Sequence, residues 1–425
     1  MKQDEAIKKR KVWAILVWTF LYIIYSIWGN TDLQPTGLEV DSAGNIYLSL
    51  IDTYRDEARV SKLNSNGKLI WSRTFQGKNL SIGEKENILI NSTDAIFQII
   101  SKLGENSSYL TVLCYHPNGE LRWSKELFGV PYYKEFAIDG DDLVIAGLDN
   151  DKGSFKINRI NPNGGLAESL YIYNPVEAGQ VRFSIIKDGL LVAGVNSSET
   201  KLAAVDWQGK TFLNSDLKPG LFLGADFDTH IYFVPLGNNF RIEKYTASPV
   251  EQLWSVLLSR PQQQPFQPVV VPRYIEFDQH LNLYLTGKDQ VLTWKWDLIK
   301  ARYSKGVRYQ IANKLYFRTR GGDRIFLTKL NRSGRILYWN HLKTYQSNPL
   351  PRGIAVDHAE NVYITGSYTL LDSQKNLFIA KYNHNGKLLW VKRNPVLPVS
   401  LFYIGLIGTL LAISVLNQDS FWKVE

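Results

Sequence analysis

A chain of 425 residues with 44% hydrophobic side chains has enough apolar material for one large core or several ordinary ones. Its net charge of +9 is modest for that length, and no nucleic-acid-binding motif accompanies it, so DNA and RNA are not expected partners. The single cysteine, Cys114, excludes an intramolecular disulfide, and 13% aromatic residues favour strands over helix bundles.

Residues 1–11 form a basic start ending in Lys8, Lys9, Arg10 and Lys11. Residues 12–29 are apolar apart from Thr19, Ser26 and the tyrosines, with Trp13, Trp18 and Trp28 among them. At 1.5 Å per residue such a run reaches about 26 Å, enough to cross a hydrocarbon core. No small-x-small cleavage site follows it, so it reads as an uncleaved anchor. The basic start stays in the cytoplasm under the positive-inside rule, which puts the following residues on the extracytoplasmic side.

Residues 37–393 repeat. The clearest copy runs from Gly353 to Lys392, as four short runs of alternating apolar residues bounded by turns rich in Asn, Asp and Gly. That is the pattern of four consecutive antiparallel strands. Aligning on the second strand gives copies beginning at Asn45, Asn87, Asp142, Gly189, His230, Asn282, Lys314 and Asn361. Their mean spacing is about 45 residues, the period of a propeller blade. The expected fold is all-β: an eight-bladed β-propeller of four-stranded antiparallel blades, with seven blades as the alternative.

The turn between third and fourth strands recurs as Asn-x-x-Gly or a near variant. Asn64 with Gly67, Gly119, Asn161 with Gly164, and Asn383 with Gly386 carry it. Asn bonds its own backbone in such a turn, and Gly takes positive φ freely. Trp71, Trp123 and Trp390 follow four residues after the glycine, Trp339 follows five after, and Trp254 follows the degenerate turn Ala247-Ser-Pro-Val250. These indoles are expected to fill the wedge between neighbouring blades. Asp41, Asp278 and Asp357 each lie four residues before the second-strand Asn and are expected to bond the turn backbone.

Residues 396–416 form a second apolar span, and residues 417–425 a short tail. Gly408 and Ala412, four apart, share one helix face and permit close approach, so the two spans are expected to pair. Four antiparallel strands return the chain to its starting face, so both propeller ends leave from one side. No strand would be exchanged between first and last blades.

Gly353-Ile-Ala-Val-Asp357 with Asn361-Val-Tyr-Ile-Thr-Gly366, and Leu38-Glu-Val-Asp41 with Gly44-Asn-Ile-Tyr47, resemble the bacterial β-propeller repeat family (the SBBP type), and more loosely PQQ-like propellers. The resemblance implies a fold and little about activity, since propellers host many functions. It also implies that PQQ-type enzymes would use adjacent cysteines, which this chain lacks.

No catalytic motif accompanies the repeats, and none of the six histidines has metal-ligand spacing with another. No cofactor or metal is therefore expected. The reading is a propeller anchored in a bacterial cytoplasmic membrane by two spans, exposed outside, and binding a membrane-protein or envelope partner without catalysis. The alternatives are a hydrolase or lyase using tunnel carboxylates, which the sequence does not locate, and a sensor ectodomain.

Overall fold

Successive side chains of a strand stand on opposite faces of its sheet, and stacking sheets in a ring buries both faces of inner strands such as Ile46–Asp52. The computed structural model describes residues 33–393 apart from 82–86, 104–107, 128–131, 150–152, 175–179, 188, 196–198, 227, 236–240, 248, 259–268, 291–323, 343–346 and 370–374. Within these residues every regular element is a strand, and the strands form seven antiparallel sheets.

Blade one comprises Leu33–Val40, Ile46–Asp52, Glu57–Leu63 and Leu69–Gln76, each hydrogen-bonded to the next in order. Blade seven has the same order, Ser347–Val356, Val362–Thr369, Lys375–Tyr382 and Leu388–Arg393. First and last blades are thus each built from consecutive strands, and side chains close the ring. Lys381 of blade seven donates to the Ser65 carbonyl of blade one at 3.3 Å. Blade two departs from the pattern, because Leu80–Ser81 and Ile88–Ile90 both pair with Ile96–Leu103 and share the innermost position.

The expected eight blades are therefore corrected to seven. In blade six the second strand, Leu283–Gln290, pairs directly with Arg324–Leu330. The copy beginning at Lys314 falls in the segment joining these two strands of one sheet, outside the described residues. It begins only about 32 residues after Asn282, too few for a four-stranded blade. The copy beginning at Asn87 is also displaced: Ile88–Ile90 is innermost, and the second strand of that blade is Ile96–Leu103.

Burial follows position in the blade. Ile46–Asp52 is buried at every residue, whereas the outer strand Leu69–Gln76 has no buried residue. The core is divided into the wedges between blades. Phe155 and Ile157 of blade three meet Phe183 and Val192 of blade four, with the two phenyl rings edge to face at 5.0 Å. Cys114 lies in the wedge between blades two and three, and burial pushes its thiol up to about 11.

Antiparallel order puts the first-to-second and third-to-fourth turns of every blade on one face of the ring. The second-to-third loops and the blade connections share the other face, where the described chain enters at Leu33 and leaves at Arg393. No helix among the described residues is long and apolar enough to cross a membrane. Residues 12–29 and 396–416, with Gly408 and Ala412, lie outside the described residues.

Candidate functional site

The turn face is held by one device used four times. Asp41 accepts backbone N–H bonds from Ala43 and Asn45, and bonds from the Asn45 side chain and the Tyr47 hydroxyl. Lys62 lies 3.5 Å from its carboxylate and over the Tyr47 ring. Asp226, Asp278 and Asp357 head the same arrangement in blades five, six and seven, with Tyr232, Tyr284 and Tyr363 donating their hydroxyls. Burial works to raise the Asp41, Asp226 and Asp278 carboxyls, but the donated hydrogen bonds and the lysine charge outweigh it. All three lie below the usual carboxylate range. These acids spend their acceptor capacity inside the fold.

The Asn-x-x-Gly turns stand beside them. Asn64, Asn161 and Asn383 each accept two backbone N–H bonds on Oδ1 within the turn. Gly67, Gly119, Gly164 and Gly386 all take φ between 72° and 85°. In blades one, two and five the indole reaches across to the turn of the next blade. Trp71 donates to the Pro117 carbonyl at 3.0 Å, Trp123 to Pro162 at 2.8 Å and Trp254 to Arg332 at 3.0 Å. Trp390 of blade seven lies against Gly67 of blade one, so the same contact closes the ring. A Cβ at Gly119 would stand 2.7 Å from the Trp71 ring, so the glycine is needed for space as well as for φ. Trp339 lies elsewhere. It stacks on Phe326 within its own blade at 4.9 Å and donates to His341, while Tyr338 packs against Gly386.

Two acids that sequence reasoning did not single out line the innermost strands. Glu39 and Glu276 each stand two residues before a turn aspartate, Asp41 and Asp278. The same position holds Gly224 in blade five and Ala355 in blade seven, so blade seven places a small side chain between the two acids in ring order. Both glutamates are half-buried. Burial, reinforced by the neighbouring Glu276 charge, pushes Glu39 up to about 8 against a weaker pull from the Val40 amide. Burial alone pushes Glu276 up to about 7, although the Phe277 N–H donates to it at 3.2 Å. Near neutral pH such a pair holds a proton and can donate it. The signal in the sequence was an acid in register with glycine and alanine of other copies.

The outer strands present a second feature. Leu69, Ile70, Leu121, Phe212, Leu337 and Leu389 are all exposed, each at the start of an outermost strand. Leu166 and Leu253 complete the series, so all seven blades contribute to an apolar belt beside the turn face. The outer strands pair on one side only and leave a free edge. Among the described residues no group of three His, Cys, Asp or Glu side chains is placed to hold a metal ion.

Sheet order and ring closure together define a seven-bladed β-propeller of four-stranded antiparallel blades. No protein-family model matches the chain, and no curated protein sequence does. Solved propellers do superpose on it. Two 6-phosphogluconolactonase-like proteins, from Bacteroides uniformis and Bacteroides fragilis, give TM-scores of 0.48 and 0.44 at 10% and 8% identity. They cover 85% of this chain and 99% and 97% of their own. The propeller of Dos1 gives 0.42 at 9% identity over 81% of this chain and 76% of its own. Likeness at this level carries no activity across.

Proposed function

We propose that this propeller is a binding module for a protein partner, held at the outer face of a bacterial cytoplasmic membrane by residues 12–29 and 396–416. The observation that supports it is the apolar belt. Each of the seven outer strands carries at least one large exposed apolar side chain within its first two residues. Apolar residues scattered at random on a surface need no explanation, but large exposed ones at the start of every outer strand, beside free strand edges, mark a contact surface. The aspartate and asparagine clusters of the turn face are internal braces, so recognition falls to the rim. Photo-crosslinking amino acids placed at Ile70, Leu121, Phe212 and Leu389 in cells test this. Discrete crosslinked protein bands from belt positions are expected, with none from Lys187 on an inner hairpin. Equal, diffuse labelling from all five positions would sink the reading.

A second reading, a hydrolase or lyase, is favoured by one observation, the Glu39 and Glu276 pair on the innermost strands. Burial raises both carboxyls toward neutral pH, Glu39 further than Glu276, and paired acid and base catalysis draws on carboxyls held apart in this way. Turnover of ester, lactone or glycoside probes by the wild type, abolished in both Glu39→Gln and Glu276→Gln, supports it. Activity that survives both substitutions removes it.

A further inference from the structure

The apolar belt runs all round the ring, but the charge beside it does not. Blades six, seven, one and two are consecutive, joined by Asn340 donating to Gly386, Trp390 against Gly67 and Trp71 donating to Pro117. Along this arc exposed Arg335, Lys387, Lys68 and Arg122 alternate with the exposed leucines and Ile70 at the starts of the outer strands. The acids exposed on the same turns and outer strands are Glu120 and Glu126, and Glu126 is already engaged by Lys102 at 2.8 Å. The opposite arc, blades three to five, has the other sign. There Glu168, Asp216 and Glu251 are exposed and Lys210 is the exposed base.

Charges that served only to keep strand edges from pairing with other chains would be needed at every blade, since every outer edge is free. Basic residues gathered on one arc instead give the apolar contact a sign, and complementary charge sets which partner is accepted.

We infer that the outer strands of blades six, seven, one and two dock an extended acidic, amphipathic protein segment, one that alternates carboxylates with aliphatic side chains. Its carboxylates would meet Arg335, Lys387, Lys68 and Arg122, and its apolar side chains would cover Leu337, Leu388, Leu389 and Ile70. This rests on the binding-module reading and names the partner's chemistry and the arc it uses.

The test uses the full chain in mild detergent with a fluorescent peptide of alternating Glu and Leu, its Lys and Leu counterpart, and vesicles containing anionic lipid. The Glu and Leu peptide is expected to bind and the Lys and Leu peptide not to. Its Kd should rise about tenfold or more on Lys68→Glu with Lys387→Glu, and on raising salt, because charges at the surface are screened. The Lys210→Glu variant of the opposite arc should leave Kd unchanged, and circular dichroism of every variant confirms that it is folded. Equal loss from variants of both arcs, binding of both peptides alike, or binding of neither overturns the inference. Vesicle binding that exceeds peptide binding also overturns it, in favour of a lipid surface. In-cell crosslinks confined to Phe212 would overturn the choice of arc while leaving the binding-module reading standing, and loss of site-specific crosslinks altogether would remove both.

Discussion

A glycine in a tight turn can be required for its φ or for the room it leaves, and two residues of this ring separate the causes. Gly119 has φ 85° and the Trp71 ring where its Cβ would stand, whereas Gly140 has φ 63° with nothing within 4 Å. Left-handed backbone costs an L side chain about 1–2 kcal/mol, and forcing apart a packed contact adds about 1–3 kcal/mol. Gly140→Ala is therefore expected to cost about 1 kcal/mol and Gly119→Ala about 2–4 kcal/mol. Denaturant unfolding of the two variants checks the ordering. Equal losses would mean that the indole moves aside at no cost. The same contact explains why a turn glycine and an indole recur as a pair in successive copies, although they touch only between copies.

At the scale of the blade, the seams made by Trp71, Trp123, Trp254 and Trp390 share one contact but are unequal in chain connectivity. Blades one to seven follow each other along the chain, so six seams have a covalent link across them. The seam from blade seven to blade one has Trp390 on Gly67 and Lys381 on the Ser65 carbonyl. Removing a half-buried indole costs about 2–3 kcal/mol at either kind of seam. Trp123→Ala and Trp390→Ala should therefore lower the midpoint similarly. Trp390→Ala alone should speed amide exchange in Ile46–Asp52 and Val362–Thr369, because an opened seam frees two blades at once. Uniform exchange in both variants would show that the ring closes by something other than these contacts.

Across the whole propeller, two sets of acids give stability opposite slopes with pH. Asp41, Asp226 and Asp278 lie below their unfolded range, so what they contribute is present above about pH 4 and is lost as acid titrates them. Glu39 is pushed up to about 8, so its contribution is complete below its unfolded value of about 4.3 and is lost as pH rises through 8. The thermal midpoint should thus peak on the acid side of neutrality and decline toward pH 9. Glu39→Gln should flatten the alkaline limb and raise the midpoint at pH 8.5 by about 1–2 °C, leaving pH 4.5 unchanged. An alkaline decline of the same slope in that variant would mean that Glu39 ionises freely in water.

The sequence by itself determined the blade. Alternating apolar residues fix strands, Asn-x-x-Gly fixes the hairpin, and Asp41, Asp278 and Asp357 announce the braced turn, because each of these depends on neighbours within about ten residues. How many blades close the ring was decided only by pairing at long range. Asn282 and Lys314 begin equally good strand patterns, but Leu283–Gln290 pairs with Arg324–Leu330 and leaves Lys314 in the connection. The position of Trp339 was settled the same way, since one residue of register sends a side chain to the opposite face. Glu39 and Glu276 stand far apart in sequence and are brought into electrostatic reach only by ring closure. The belt and its basic arc have the same origin, for a surface assembled from one or two residues of each blade exists only when the blades stand side by side.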